Sequence, residues 1–221
     1  MKTLKRFVFL VTIALLLNAC VVKSLHAFYT KDILYFEKIL LGQWLGPNDS
    51  NWTVQSAKDV ILNENKKNKV TDLNQDERKL YDDYNKGYVI TYEKDSTKST
   101  FLAMPFKIKQ QLFLDFTPIE DKETEEADNN LYQMHRVDLH SLAKLDIFSK
   151  DSVSIKWLDS DKLAALLDAG RIKIKYETVG FGETTMLTAS SQELVKFIEK
   201  YMASEDNDKW KTRTEADLKR L

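Results

Sequence analysis

The sequence predicts a mainly β fold bordering on α+β. The expected architecture is an antiparallel barrel or sandwich of about eight strands, with a late inserted helix and a C-terminal helix. Three observations lead there. After Gly42, apolar residues recur with a period of two over most of the chain, the pattern of half-buried strands. Short polar breaks separate these runs, as antiparallel neighbours require. Two late segments switch to helical spacing behind capping residues.

The elements follow in order. Thr30 is placed to cap a short helix within residues 28–41, with Ile33, Phe36 and Leu40 on one face and Gly42 just past its end. Strands are expected near Trp44 and Trp52. Residues 63–69 read as a polar loop and 74–85 as a helix. Tyr88, Ile90 and Tyr92 then alternate with Val89, Thr91 and Glu93. Beyond a polar break at 94–98, Leu102, Met104, Phe106 and Ile108 share one face. Leu112, Leu114 and Phe116 do likewise after the Lys109-Gln110 break, so a hairpin is expected there without the usual Gly or Asn. Pro105 must sit at an edge, a bulge or a non-bonded position. Ala143, Leu145 and Ile147, then Val153, Ile155 and Trp157, continue the period, as do Ile172, Ile174 and Tyr176. Asp161 to Asp168 reads as a helix ending before Gly170. Ser190 and Glu193 form a capping box that opens a helix through Met202. Residues 204–221 carry five acidic and five basic side chains and read as a loosely docked helix or a frayed tail.

Composition excludes several classes of function. The 221 residues contain one cysteine, so there is no internal disulfide framework and no Cys-rich zinc site. Three histidines leave little for a His-based metal cluster, and no metal or other cofactor is expected. The net charge of −1 argues against a basic nucleic-acid binder.

The N-terminus reads as a targeting segment. Lys2, Lys5 and Arg6 precede an apolar stretch at 7–17, interrupted only by Thr12. Eleven helical residues span about 16 Å, too short for a bilayer core of ~30 Å and suited to a signal peptide. Leu17-Asn18-Ala19-Cys20 follows. It resembles the lipobox of bacterial lipoproteins, and the chain's one cysteine stands where that motif needs it. The resemblance implies cleavage before Cys20, acylation of that residue, and membrane lipid as the anchoring partner. Several acyl chains hold a protein stably where one does not. Val21 stands where Asp would favour inner-membrane retention, so the bacterial outer membrane is the expected location. Cleavage removes Lys2, Lys5 and Arg6 and leaves 30 basic against 34 acidic side chains, net −4. The organisation expected is a signal peptide at 1–19, a lipidated N-terminus and short helix at 20–41, a β-rich domain at 42–202 and a charged tail at 203–221.

Gly42-Gln43-Trp44 precedes the first strand and follows a short structured segment. It resembles the Gly-x-Trp that opens lipocalin-like barrels, whose Trp closes one barrel end. The resemblance implies an outer helix, matched by 191–202, and an arginine partner for Trp44, to which the sequence assigns no residue. Two features depart from it: the helix at 161–168 between late strands, and residues 57–86, too long for a hairpin connection. The whole chain also resembles the small β-rich lipoproteins of Bacteroidetes-type bacteria.

No catalytic motif is present: no Gly-x-Ser-x-Gly, no P-loop, no His-Glu-x-x-His. Asp115 lies in an apolar strand, and period two puts it with Phe113 and Thr117, opposite Leu112, Leu114 and Phe116. The ordinary reading is the solvent side; the other is a buried carboxyl with a raised pKa. His135, Asp138 and His140 are the remaining polar candidates, read first as residues beside a strand. Trp44, Trp52, Tyr88, Tyr92, Phe106 and Trp157 are expected in the barrel core or around an apolar pocket at its end. The function expected is a lipid-anchored envelope lipoprotein, a non-catalytic module that binds a small apolar ligand or an envelope protein. Two alternatives stand beside it: an envelope enzyme acting on glycan or peptide through Asp115, Asp138 or His140, and a lipoprotein that supports an envelope assembly.

Overall fold

A computed structural model describes residues 21–119, 137–180 and 184–221. The chain opens with β1 (Lys23–Ser24) and two 3-10 turns (Lys31–Ile33 and Lys38–Leu40), followed by β2 (Gly42–Leu45) and β3 (Asn51–Ser56). Two helices, α1 (Ala57–Glu64) and α2 (Gln75–Tyr84), occupy the β3–β4 connection. The strands β4 (Tyr88–Lys94), β5 (Thr97–Ile108), β6 (Gln111–Ile119), β7 (His140–Ser149) and β8 (Ser152–Trp157) come next. Then come α3 (Ser160–Asp168), β9 (Tyr176–Val179), β10 (Thr184–Leu187), α4 (Ser191–Ala203) and β11 (Glu215–Arg220).

Eight strands close on themselves. The strands β2 to β8 pair in sequence order, and β11 fills the gap between β8 and β2. Every pairing around this ring is antiparallel. The fold is a closed, lipocalin-like barrel. Its three further strands extend from β7, where β8 ends its pairing at Ala143 and β1 takes over at Ser141 and His140. Beyond β1 lie β10, parallel to it, and then β9.

Local chemistry explains these elements. The β5–β6 hairpin turns on Lys109 and Gln110 as expected, with Lys109 taking φ 53° in place of a glycine. Pro105 lies past the last β4–β5 pair, Tyr88 with Ala103. No ladder needs an N–H from it there, and its carbonyl accepts from Tyr35. Capping boxes open α2 (Asn74 with Glu77) and α4 (Ser190 with Glu193), while the Asp159 side chain caps α3.

Two cores result. Inside the barrel lie Trp44, Val54, Tyr88, Ile90, Leu114 and Ile155, among others. Outside it, Phe106, Phe113 and Leu142 project from β5, β6 and β7. The N-terminal segment and helices α3 and α4 cover them with Phe28, Leu163, Leu194 and Ile198. An eight-stranded barrel is just wide enough for its own side chains or one small ligand, and here Trp44, Tyr88, Ile90 and Leu114 are fully buried inside it. Among the described residues, no helix is long and apolar enough to cross a membrane.

Three expectations change. Residues 28–41 form two 3-10 turns rather than one helix, because the stretch between them pairs with β5, Leu34 bridging Phe106 and the Tyr35 N–H donating to the Pro105 carbonyl. The Tyr88 hydroxyl both accepts from the Glu37 N–H and donates to the Glu37 carbonyl, holding it extended there. Ile172 and Ile174 keep their alternation with Lys173 and Lys175, but the strand begins only at Tyr176. The expected tail at 203–221 contains β11, a barrel strand. Its Ala216 and Leu218 point inward while Glu215 and Asp217 point out, so most of its charge lies on the outer face, and Arg220, opposite Trp44, carries charge to the barrel end.

Candidate functional site

The barrel end around Trp44 is built from the first and last strands. The Trp44 indole N–H donates to the Leu40 carbonyl at 2.8 Å. The Arg220 guanidinium lies 4.2 Å from the Trp44 ring centroid and donates to the carbonyls of Leu41 (2.9 Å), Ile39 (2.5 Å) and Lys150 (2.9 Å). Cation–π attraction and a forked donor set make arginine the residue for this position. Gly42 has φ +124°, and a Cβ there would come within 2.7 Å of that guanidinium. The arginine that the lipocalin resemblance implies is therefore Arg220. Its sequence context hides it, because residues 203–221 have the charge pattern of a tail.

The aromatic candidates divide between the two cores. Trp52 contacts Tyr92 (5.2 Å) and Trp157 (6.4 Å), and Phe116 contacts Trp157 (5.0 Å) and Phe101 (6.0 Å). These rings pack against one another inside the barrel, and Tyr88 and Trp44 are fully buried there. Phe106 is corrected. It stands on the outer barrel face, stacked on Phe113 at 5.4 Å, because the Leu102–Ile108 face of β5 points outward.

The polar candidates separate in the same way. Asp138 is exposed ahead of β7. His135 and Cys20 lie outside the described residues, as do residues 1–19, where the sequence leads one to expect a signal peptide and lipobox. Asp115 and His140 meet. Thr117 and His140 stand next to the paired residues Phe116 and Ser141, with Asp115 diagonal to them on the outer face. The His140 Nδ1 lies 2.7 Å from Asp115 Oδ1 and 3.2 Å from Thr117 Oγ1. The Phe28 N–H donates to Asp115 Oδ2 at 2.6 Å.

The solvent-side reading of Asp115 is overturned: the residue is 1% exposed. Its parity was as expected, on the face of Phe113 and Thr117, but that face is covered by the N-terminal segment rather than water. Burial raises the Asp115 carboxyl above its ordinary pKa, while the hydrogen bond and charge of His140 and the Phe28 N–H pull it down. Burial also raises the neighbouring Tyr29 phenol, and the Asp115 charge adds to that shift.

Chemically this cluster is better suited to holding than to turnover. A hydrolytic relay sets a carboxylate on one imidazole nitrogen and the nucleophile on the other. Here Asp115 and Thr117 both approach Nδ1. Their combined contacts tie β6, β7 and the N-terminal segment together across 87 residues of sequence between Phe28 and Asp115. Among the described residues, no group of three His, Cys, Asp or Glu side chains is placed to hold a metal ion.

Fold and sites together define a lipocalin-like barrel with an arginine-closed end and a covered outer face. No protein-family model matches the chain, and neither a curated protein nor a solved structure matches it.

Proposed function

We propose that this protein is a lipid-anchored lipoprotein of the bacterial envelope, held at the outer membrane through acylated Cys20 and acting as a non-catalytic binding module. The observation that carries the reading is the position of Cys20 in Leu17-Asn18-Ala19-Cys20, directly ahead of the fold. Val21 already bridges Asp159, the Val22 N–H donates to the Leu158 carbonyl, and Lys23 and Ser24 lie between β7 and β10. A lipid on Cys20 would thus hold the domain against the bilayer with no intervening stalk. The buried Asp115 carboxyl supports the non-catalytic reading, since one oxygen holds the Phe28 N–H of the N-terminal segment and the other holds His140.

The test is Cys20→Ala in the native host. The variant should lose metabolic labelling with palmitate and leave the membrane fraction, while the parent keeps both. A variant that remains labelled and membrane-bound removes the anchoring reading.

A further inference from the structure

Outside the barrel, a groove of about 910 Å3 runs between the segment after α3 and helix α4. Small-molecule sites commonly occupy ~300–1,000 Å3. Its origin is local. The chain leaves α3 through Gly170, at φ +62°, and runs to Tyr176 outside any strand, tied by the Arg171 and Ile172 N–H groups to the Leu166 carbonyl and by the Lys175 carbonyl to the Thr188 N–H. Period two then turns Ile172 and Ile174 toward the protein and Lys173 and Lys175 outward. The opposite wall repeats the division at helical spacing. Phe197 and Tyr201, four residues apart, are buried, while Lys196 and Lys200 beside them are exposed.

The groove therefore has an apolar floor and a cationic rim. Five cations line it, Arg171, Lys173, Lys175, Lys196 and Lys200, against two carboxylates, Glu193 and Asp206. Both carboxylates are already engaged. Glu193 pairs with Lys175 at 3.3 Å and takes the Ser190 N–H and hydroxyl. Asp206 pairs with Lys162 at 3.2 Å and accepts from the Asp208 N–H. Among the described residues, Lys173, Lys196 and Lys200 make no ion pair. On a chain whose formal net charge is −1, this is a local excess of positive charge beside a half-buried apolar floor.

We infer that the groove binds a single-chain anionic amphiphile, with its acyl chain on the Ile172–Ile174–Phe197 floor and its carboxylate or phosphate head among Lys173, Lys196 and Lys200. A strip bounded by one extended segment and one helix suits one chain rather than two. The site lies apart from the barrel interior, which aromatic side chains occupy. The inference rests on the binding-module reading and gives it a ligand class and a place.

The experiment uses the full chain carrying Cys20→Ala, so that no anchoring lipid enters the measurement. Calorimetric titrations compare myristate, a lysophosphatidate of the same chain length, monomyristoyl glycerol, inorganic phosphate, and vesicles of phosphatidylcholine with phosphatidylglycerol. Saturable 1:1 binding of myristate or lysophosphatidate is expected, and the tighter of the two identifies the head. Monomyristoyl glycerol and phosphate should bind weakly or not at all. Lys196→Glu with Lys200→Glu should weaken the anionic amphiphile about tenfold or more, and added salt should weaken it further. Ile174→Glu should do the same from the opposite wall, with an unchanged far-ultraviolet spectrum. Equal affinity for monomyristoyl glycerol, binding to vesicles alone, no binding, or binding untouched by these variants each overturns the inference. Binding lost on Trp157→Ala but kept in the groove variants would move the ligand into the barrel and leave the module reading standing. Because the Cys20→Ala variant has no thiol to acylate, none of these results bears on anchoring.

Discussion

At Asp115 desolvation outweighs an imidazole and a backbone N–H, and the carboxyl stays above its ordinary range. A group raised on folding binds its proton more tightly in the folded chain. Its contribution to stability is whole below the ordinary carboxylate range and is lost as pH rises through the raised value. Asp115→Asn removes that ionisation while an amide can still accept from the Phe28 N–H. The melting temperature of the variant, relative to the parent, should therefore climb as pH rises from acid through that window. Parallel curves for the two proteins would mean that Asp115 does not titrate in this way. Asp115→Ala is a harsher change, because it strands the buried Phe28 N–H. A loss of about 1–3 kcal/mol in denaturant unfolding is expected. Arg220 invites the same comparison. Arg220→Lys keeps the charge but cannot reach three carbonyls with a fork, so it should lose about 1–3 kcal/mol, close to the loss from Arg220→Ala. Recovery of parental stability by lysine would show that charge alone matters at this barrel end.

Strand β11 shows most clearly what the sequence could and could not convey. Only Ala216 and Leu218 mark its inward face, among alternating charges, and two apolar residues are too few to outvote ten ionised ones in the surrounding segment. Longer strands such as β5 and β6 were legible because their alternation persists, and α2, α3 and α4 because capping residues announce them. Period two separates the faces of a strand but does not say which face is covered. The alternation therefore gives Phe106 and Asp115 their sides of β5 and β6 but not the covering layer that buries them there. The Asp115–His140 contact was out of reach for the same reason: it depends on β6–β7 register, which 20 intervening residues between Ile119 and His140 leave open. Both classes of element make predictions. Ending the chain at Thr214 should open the barrel between β8 and β2 and abolish cooperative unfolding, whereas a frayed tail would be removed without effect. Ser190→Ala breaks the capping box of α4 and should cost about 1 kcal/mol, read from the shift in denaturant midpoint.

The two cores lie on opposite faces of the same strands. Leu114 of β6 points into the barrel while its neighbour Phe113 points into the outer core, and Ala143 and Leu142 of β7 divide in the same way. Neither core keeps its walls if these strands lose their pairing, so the molecule should unfold as one unit despite its covering layer. The four tryptophans report both sides: Trp44 and Trp52 lie in the barrel core with Trp157 packed against it, and Trp210 lies in the outer core. Fluorotryptophan labelling followed by NMR during denaturant titration should give one midpoint for all four signals. Leu114→Ala sharpens the test. Truncating this fully buried leucine removes barrel packing alone and should cost about 2–5 kcal/mol, a large share of the ~5–15 kcal/mol typical of a folded domain. The Trp210 signal should nevertheless shift its midpoint as far as the barrel signals do. If Trp210 keeps its parental midpoint while the other three melt early, the outer layer is a separate cooperative unit. The shared strands would then not be what couples the groove-bearing helices to the barrel.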